Sequence, residues 1–100
     1  MSGADYRIAW RPKASEDLRS IVRYIAQVSP ARARAFGKML REKVQPLAQH
    51  PLLGHVGRPG LPAEVRELVL HSNYIAFYRV LEASRTVEIL RVKHVAQQTT

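Results

Sequence analysis

Five residues in the second half of this chain could move a proton or hold a phosphate: Glu67, His71, Tyr74, Arg91 and Lys93. Cleaving RNA through its own 2′-hydroxyl takes a proton acceptor, a proton donor and a cation for the phosphorane, and no metal. In that reading Arg91 and Lys93 stabilise the phosphate, and Glu67 or His71 transfers the proton. The same residue types cover many inert sheets, so a purely binding role stays open. Tyrosines with arginine enrich protein-binding surfaces. Aromatics with cations also suit stacked bases and phosphates.

Other chemistries lack their parts. The sequence contains no cysteine, which removes disulfides, Cys-based zinc sites and thiol catalysis. His50, His55, His71 and His94 form no i, i+4 pair and have no adjacent carboxylate at ligand spacing, so no metal site and no cofactor are expected. Gly54, Gly57 and Gly60 recur every three residues, but no strand precedes them and no helix follows, so they read as loop glycines.

The elements that must position these residues follow from periodicity. Tyr6–Trp10 alternates and is bounded by Pro12, the pattern of a short strand. Lys13–Val28 predicts a helix, with Ala14, Leu18, Ile21, Val22, Ile25 and Val28 on one apolar stripe and Glu16 and Asp17 in its first turn. Ser29-Pro30 predicts a helix start, Ser as N-cap and Pro at the first helical position. The second helix carries Phe36, Met39, Leu40, Val44 and Leu47 on one face, and Pro46 should kink or end it near Gln45. His50–Pro62 reads as a loop. Three antiparallel strands complete the chain: Val65–Leu70, Tyr74–Leu81 and Val87–Lys93. The predicted class is α+β in the order β-α-α-β-β-β, an antiparallel sheet with the helical hairpin packed on one face.

A two-residue Ser72-Asn73 loop pairs His71 with Tyr74 and predicts the strand register. Leu70 then opposes Ile75, Leu68 opposes Phe77 and Arg66 opposes Arg79. Pairing Leu81 with Thr86 sets Phe77 against Leu90, Ile75 against Val92 and Arg79 against Glu88. One face collects Leu68, Leu70, Ile75, Phe77, Leu90 and Val92, and should lie under the helices. The other collects Val65, Glu67, Val69, His71, Tyr74, Ala76, Tyr78, Ile89, Arg91 and Lys93, and should stay open.

One hundred residues with 46% hydrophobic content suit one domain spanning 1–100, with ends at about 1–5 and 97–100 that should fray. No apolar run is long enough to span a bilayer and the first residues hold no apolar signal region, so a cytoplasmic location without a membrane partner is expected. The net charge is +8, and ten Lys/Arg against four Asp/Glu fall in residues 1–50. Such a surface attracts polyanions, either nucleic acid or an acidic protein segment.

Several segments together resemble the ParE/RelE toxins of bacterial type II toxin–antitoxin systems. Ala14-x-x-Asp17-Leu18-x-x-Ile21-x-x-Tyr24-Ile25 is similar to their first helix, and Pro51-Leu52-Leu53-Gly54-x-x-Gly57-Arg58 to their central loop. Arg66–Val69, Asn73–Val80 and Val87–His94 resemble their strands, and the match runs over roughly residues 6–98. The resemblance implies the β-α-α-β-β-β fold, toxicity and a ParD-like antitoxin partner. An acidic, amphipathic antitoxin segment would suit Arg19, Arg23, Arg34, Lys38 and Arg41 on the helical hairpin.

Two targets follow from the family. ParE-like members poison DNA gyrase and need no hydrolytic site. RelE-like members cut messenger RNA on the ribosome. The tail Val95-Ala96-Gln97-Gln98 lacks the arginine, lysine or tyrosine that RelE-like enzymes commonly keep there. The Pro-Leu-Leu-Gly loop and the strands look more ParE-like. The resemblance therefore implies gyrase as target and no catalytic residue. The residues on or beside the predicted open face, Tyr74, Tyr78, Arg91, Lys93 and His94, together with Arg58, are then expected to contact gyrase and its bound DNA. A RelE-like activity would instead use Glu67, His71, Arg91 and Lys93. A nucleic-acid-binding module without toxicity is the third reading.

Overall fold

The computed structural model describes residues 5–96, so the expectation for residues 1–4 and 97–100 lies outside the described residues. The chain runs β1 (Arg7–Trp10), α1 (Pro12–Ala26), α2 (Pro30–Val44), a 3-10 turn (Gln45–Ala48), β2 (His55–Val56), β3 (Arg66–His71), β4 (Tyr74–Leu81) and β5 (Thr86–His94). The class and element order expected from the sequence are present. The fifth strand, β2, lies inside the segment read as pure loop.

Local chemistry explains the helix ends. Pro12 and Pro30 both fall in the first turn, where a missing N–H costs nothing. The Ser29 hydroxyl accepts the Arg32 N–H at 3.2 Å, as the Ser-Pro pair predicts. Pro46 ends α2 at Val44 and tightens the chain into the 3-10 turn. Helix α1 starts at Pro12, so Glu16 and Asp17 stand in its second turn, too far in for a strong N-terminal dipole effect. Val28 lies past the helix and is 86% exposed, so it does not continue the stripe.

The sheet order is β1-β5-β4-β3-β2. Pairs β2–β3, β3–β4 and β4–β5 are antiparallel, but β1 runs parallel to β5. The sheet is therefore mixed and not wholly antiparallel. The helical hairpin carries the chain from the β1 edge to the β2–β3 edge, and β4 and β5 bring it back to β1, beside which β5 runs in the same direction. Helix α1 packs on β5 and α2 on β3. Ala14, Leu18, Leu40 and Val44 from the helices bury against Leu70, Ala76, Tyr78, Val87, Ile89 and Val92.

The two hairpin ends match expectation, with His71 opposite Tyr74 and Leu81 opposite Thr86. Between them two bulges change the register. Leu70 is an extra residue in β3, so Ile75 opposes Val69, Ala76 opposes Leu68 and Tyr78 opposes Arg66. Leu90 is an extra residue in β5, so Phe77 opposes Arg91 and Ile75 opposes Lys93. Arg79 and Glu88 remain opposite and form an ion pair of 2.7 Å. Arg66 instead donates to the carbonyls of Leu52 and Gly54.

These bulges correct the predicted faces. Leu68, Leu70 and Val92 face the helices as expected. Ile75, Phe77 and Leu90 form a second small cluster with Val65 on the reverse side. Tyr74, Ala76, Tyr78 and Ile89 pack on the helix side. Tyr78 is fully buried, so it is not an open contact residue. Its hydroxyl accepts the Gly54 N–H at 3.0 Å and donates to the Pro51 carbonyl at 2.8 Å. That pairing lets a phenol sit in the core.

Candidate functional site

A cleft of about 650 Å³ opens between α1 and the C-terminal end of β5. Asp17, Ser20, Ile21 and Tyr24 line it from α1, Tyr74 from the start of β4, and Arg91, Lys93 and His94 from β5. Tyr24 and Asp17 reach the same opening because they are seven residues apart, two turns of one helix face. The β5 bulge sets Arg91 toward α1, while Val92 still points into the core.

Asp17 holds this wall together. It accepts the Arg91 Nε at 2.8 Å, the Arg91 Nη2 at 3.0 Å and the Val92 N–H at 2.9 Å. The bond to Asp17 raises the Arg91 guanidinium pKa further above its ordinary value. At the other wall Tyr74 meets His94 with ring centroids 5.1 Å apart and Phe36 of α2 at 5.5 Å. His71 also touches Phe36, at 5.3 Å. Burial raises the Tyr74 phenol pKa, and the nearby Tyr24 adds to the rise. The His94 Nδ1 accepts the Ala96 N–H at 3.0 Å. Tyr24 stands 72% exposed at the rim.

Four of the residues expected to contact a target therefore converge: Tyr74, Arg91, Lys93 and His94. Arg58 does not join them. Its guanidinium makes a two-point ion pair with Glu67 at 2.8 and 2.7 Å, and its N–H also reaches Glu67 at 2.8 Å. The same guanidinium lies 5.6 Å from the centre of the Phe77 ring, on the reverse side of the sheet. Arg58 holds the Glu67 carboxyl below the usual glutamate range.

The acid–base set is likewise divided. Glu67 is nearly buried on the reverse side and engaged by Arg58. His71 stacks on the helix side, and Arg91 and Lys93 line the cleft. A carboxylate so strongly favoured in its charged form is a weak proton acceptor. Among the described residues, no group of three or more His, Cys, Asp or Glu could hold a metal ion.

A second groove, of about 400 Å³, follows the seam between α1 and α2. Leu18, Val22, Ala33 and Gly37 contribute apolar lining, and Arg19, Arg23, Arg34 and Arg41 stand along it. Gly37 permits the close crossing, since a Cβ there would lie 2.8 Å from Val22 Cγ2. Lys38 points elsewhere and pairs loosely with Glu42 at 3.9 Å. The reading from sequence missed Asp17 and Tyr24 as cleft residues. Their signal was the shared helix face with Ile21, which periodicity alone assigns to packing.

The fold and sequence both have relatives. The candidate toxin Y4kP of Sinorhizobium fredii is 40% identical over 93 residues, covering 92% of this chain and 91% of that protein. The solved structure of a chromosomal ParDE toxin–antitoxin system from P. aeruginosa superposes with a TM-score of 0.76 at 30% identity, over 93% of this chain and 99% of that one. The RelBE2 toxin–antitoxin complex of Mycobacterium tuberculosis gives 0.62 at 25% identity, over 90% and 98% of the two chains. Among the described residues, no helix is long and apolar enough to cross a membrane. Residues 8–99 match the family model of the ParE toxin of type II toxin–antitoxin systems, parDE, and the chain belongs to that family.

Proposed function

We propose that this toxin acts in the cytoplasm by binding DNA gyrase and stabilising its cleaved-DNA intermediate, without performing hydrolysis itself. One observation carries the reading: Glu67, the carboxylate available for acid–base work, is clamped by Arg58 on the reverse side of the sheet from His71, and Arg91 is itself paired with Asp17. What the cleft collects instead is contact chemistry, with Tyr74, Arg91, Lys93 and His94 around one opening. A ParD-like antitoxin neutralises the toxin by laying an acidic, amphipathic segment along the α1–α2 groove. The apolar floor and the four arginines support that assignment.

The test uses purified toxin with gyrase, ATP and supercoiled plasmid, and separately with translating ribosomes. Linearised plasmid after detergent and protease treatment is the expected result. Codon-placed cuts in messenger RNA, with plasmid untouched, would reject the gyrase reading in favour of ribosome-dependent cleavage.

A further inference from the structure

The cleft between α1 and β5 has the composition of a site for a nucleotide. Its volume of about 650 Å³ falls within the range of roughly 300–1,000 Å³ typical of ligand sites. Asp17 is the one carboxylate in the lining, and its oxygens are already taken by Arg91 and the Val92 N–H. Among the described residues, no carboxylate lies within 4 Å of the Lys93 ammonium, although five other cations, Arg91 among them, form ion pairs. The opening thus keeps a positive charge that nothing in its wall cancels.

The two tyrosines differ in their freedom. Tyr74 is held edge-on by Phe36 and His94. Tyr24 is 72% exposed and, among the described residues, makes no ring contact with another aromatic. An open phenol face and an uncancelled ammonium lining one cleft suit a planar base joined to a phosphate. Bases inside a duplex are already stacked on each other, so the face is available only to an unpaired one. An acidic peptide would satisfy Lys93 but leave the Tyr24 face without a planar partner.

We infer that this cleft binds an unpaired nucleotide of a nucleic-acid strand, the base stacking on Tyr24 and the phosphate meeting Lys93. The nucleotide takes the same opening that the proposed function assigns to target contact, and it binds there with no other protein present.

Fluorescence anisotropy with labelled oligo-dT, oligo-U and a duplex of the same length tests it on the full chain. Both single strands should bind more tightly than the duplex, and the ratio of dT to U tells DNA from RNA as the source. Tyr24→Ala should weaken single-strand binding about 5- to 100-fold and leave the salt slope unchanged. Lys93→Gln should flatten the slope by about 0.7 for the lost phosphate contact. Tyr24 is exposed, so circular dichroism should show its variant folded. Equal binding of duplex and single strand overturns the inference. So does wild-type affinity in both cleft variants with binding lost when Arg19, Arg23, Arg34 and Arg41 are all replaced by Gln, the result expected of the basic hairpin surface alone. Plasmid cleavage by gyrase is read separately, so either idea can fail while the other holds.

Discussion

Asp17 of α1 and Arg91 of β5 join helix to sheet through two side-chain hydrogen bonds of 2.8 and 3.0 Å, and the same carboxylate caps the Val92 N–H at 2.9 Å. One carboxylate thus serves a cation at the cleft and a backbone donor beside the core. The two roles separate in energy. The ion pair is partly solvated, with side-chain exposures of 38% and 18%, so water screens much of its Coulomb gain. The backbone bond stands by Val92, which is only 3% exposed, where an unmet N–H is expensive.

Asp17→Ala should therefore cost about 2 kcal/mol of stability, and Arg91→Ala distinctly less. Asp17→Asn keeps one acceptor and should fall between wild type and Asp17→Ala. Urea unfolding of the three variants checks the order. Equal losses from Asp17→Ala and Arg91→Ala would contradict this division of roles.

Tyr78 makes a different kind of join. Its hydroxyl ties Pro51 and Gly54 of the central loop to β4. Tyr78→Phe removes no packing volume worth counting but leaves a buried N–H and a carbonyl without their partner. The expected cost is about 1–3 kcal/mol. Hydrogen exchange at the Gly54 amide should rise with it, and unchanged exchange would show that the loop is held by other contacts. Gly54→Ala should be at least as damaging, because an added Cβ would meet the Glu67 carbonyl and stand 2.8 Å from the Tyr78 hydroxyl.

Acid should expose the Arg58–Glu67 pair. The Glu67 pKa is lower in the folded chain than unfolded, chiefly through its hydrogen bond from Arg58. Its contribution to stability is then complete above the unfolded glutamate value, about 4.3, and is lost as pH falls through the folded value. Glu67→Gln should lower the urea midpoint near neutrality. Its curve should approach that of wild type as the pH falls below about 4. Parallel curves across that window would place the pH dependence elsewhere.

Charge on the helical hairpin should affect association more than folding. Arg19→Glu with Arg34→Glu should shift stability by no more than about 0.5 kcal/mol, as surface changes usually do. The same pair should weaken the complex with the ParD-like antitoxin about tenfold or more, mostly at low salt. Titration of the complex at two salt concentrations checks this. Wild-type affinity in the variant would move the antitoxin away from the α1–α2 groove.

The sequence by itself determined both helices, the turn between them, the first strand and the three long strands, but not the short β2 or the ends of α1. Apolar spacing of three and four residues marked both helices, Ser29-Pro30 marked the turn between them, and the hairpin turns at His71–Tyr74 and Leu81–Thr86 were readable from local chemistry. Each of these is decided within a few residues of chain. Tertiary structure decided which face of the sheet the helices cover. Tyr74-Ile75-Ala76-Phe77-Tyr78 is apolar throughout and has no alternation to read. The bulges at Leu70 and Leu90 shift the pairing, so that Tyr74–Tyr78 of β4 and Ile89-Leu90 of β5 take the faces opposite to those expected. The hydroxyl of Tyr78 could enter the core only because Pro51 and Gly54, far away in sequence, arrive to bond it. Likewise Asp17 and Arg91, 74 residues apart, become one wall of a cleft only after α1 has docked on β5. A pattern of period two or four cannot encode a meeting at that distance.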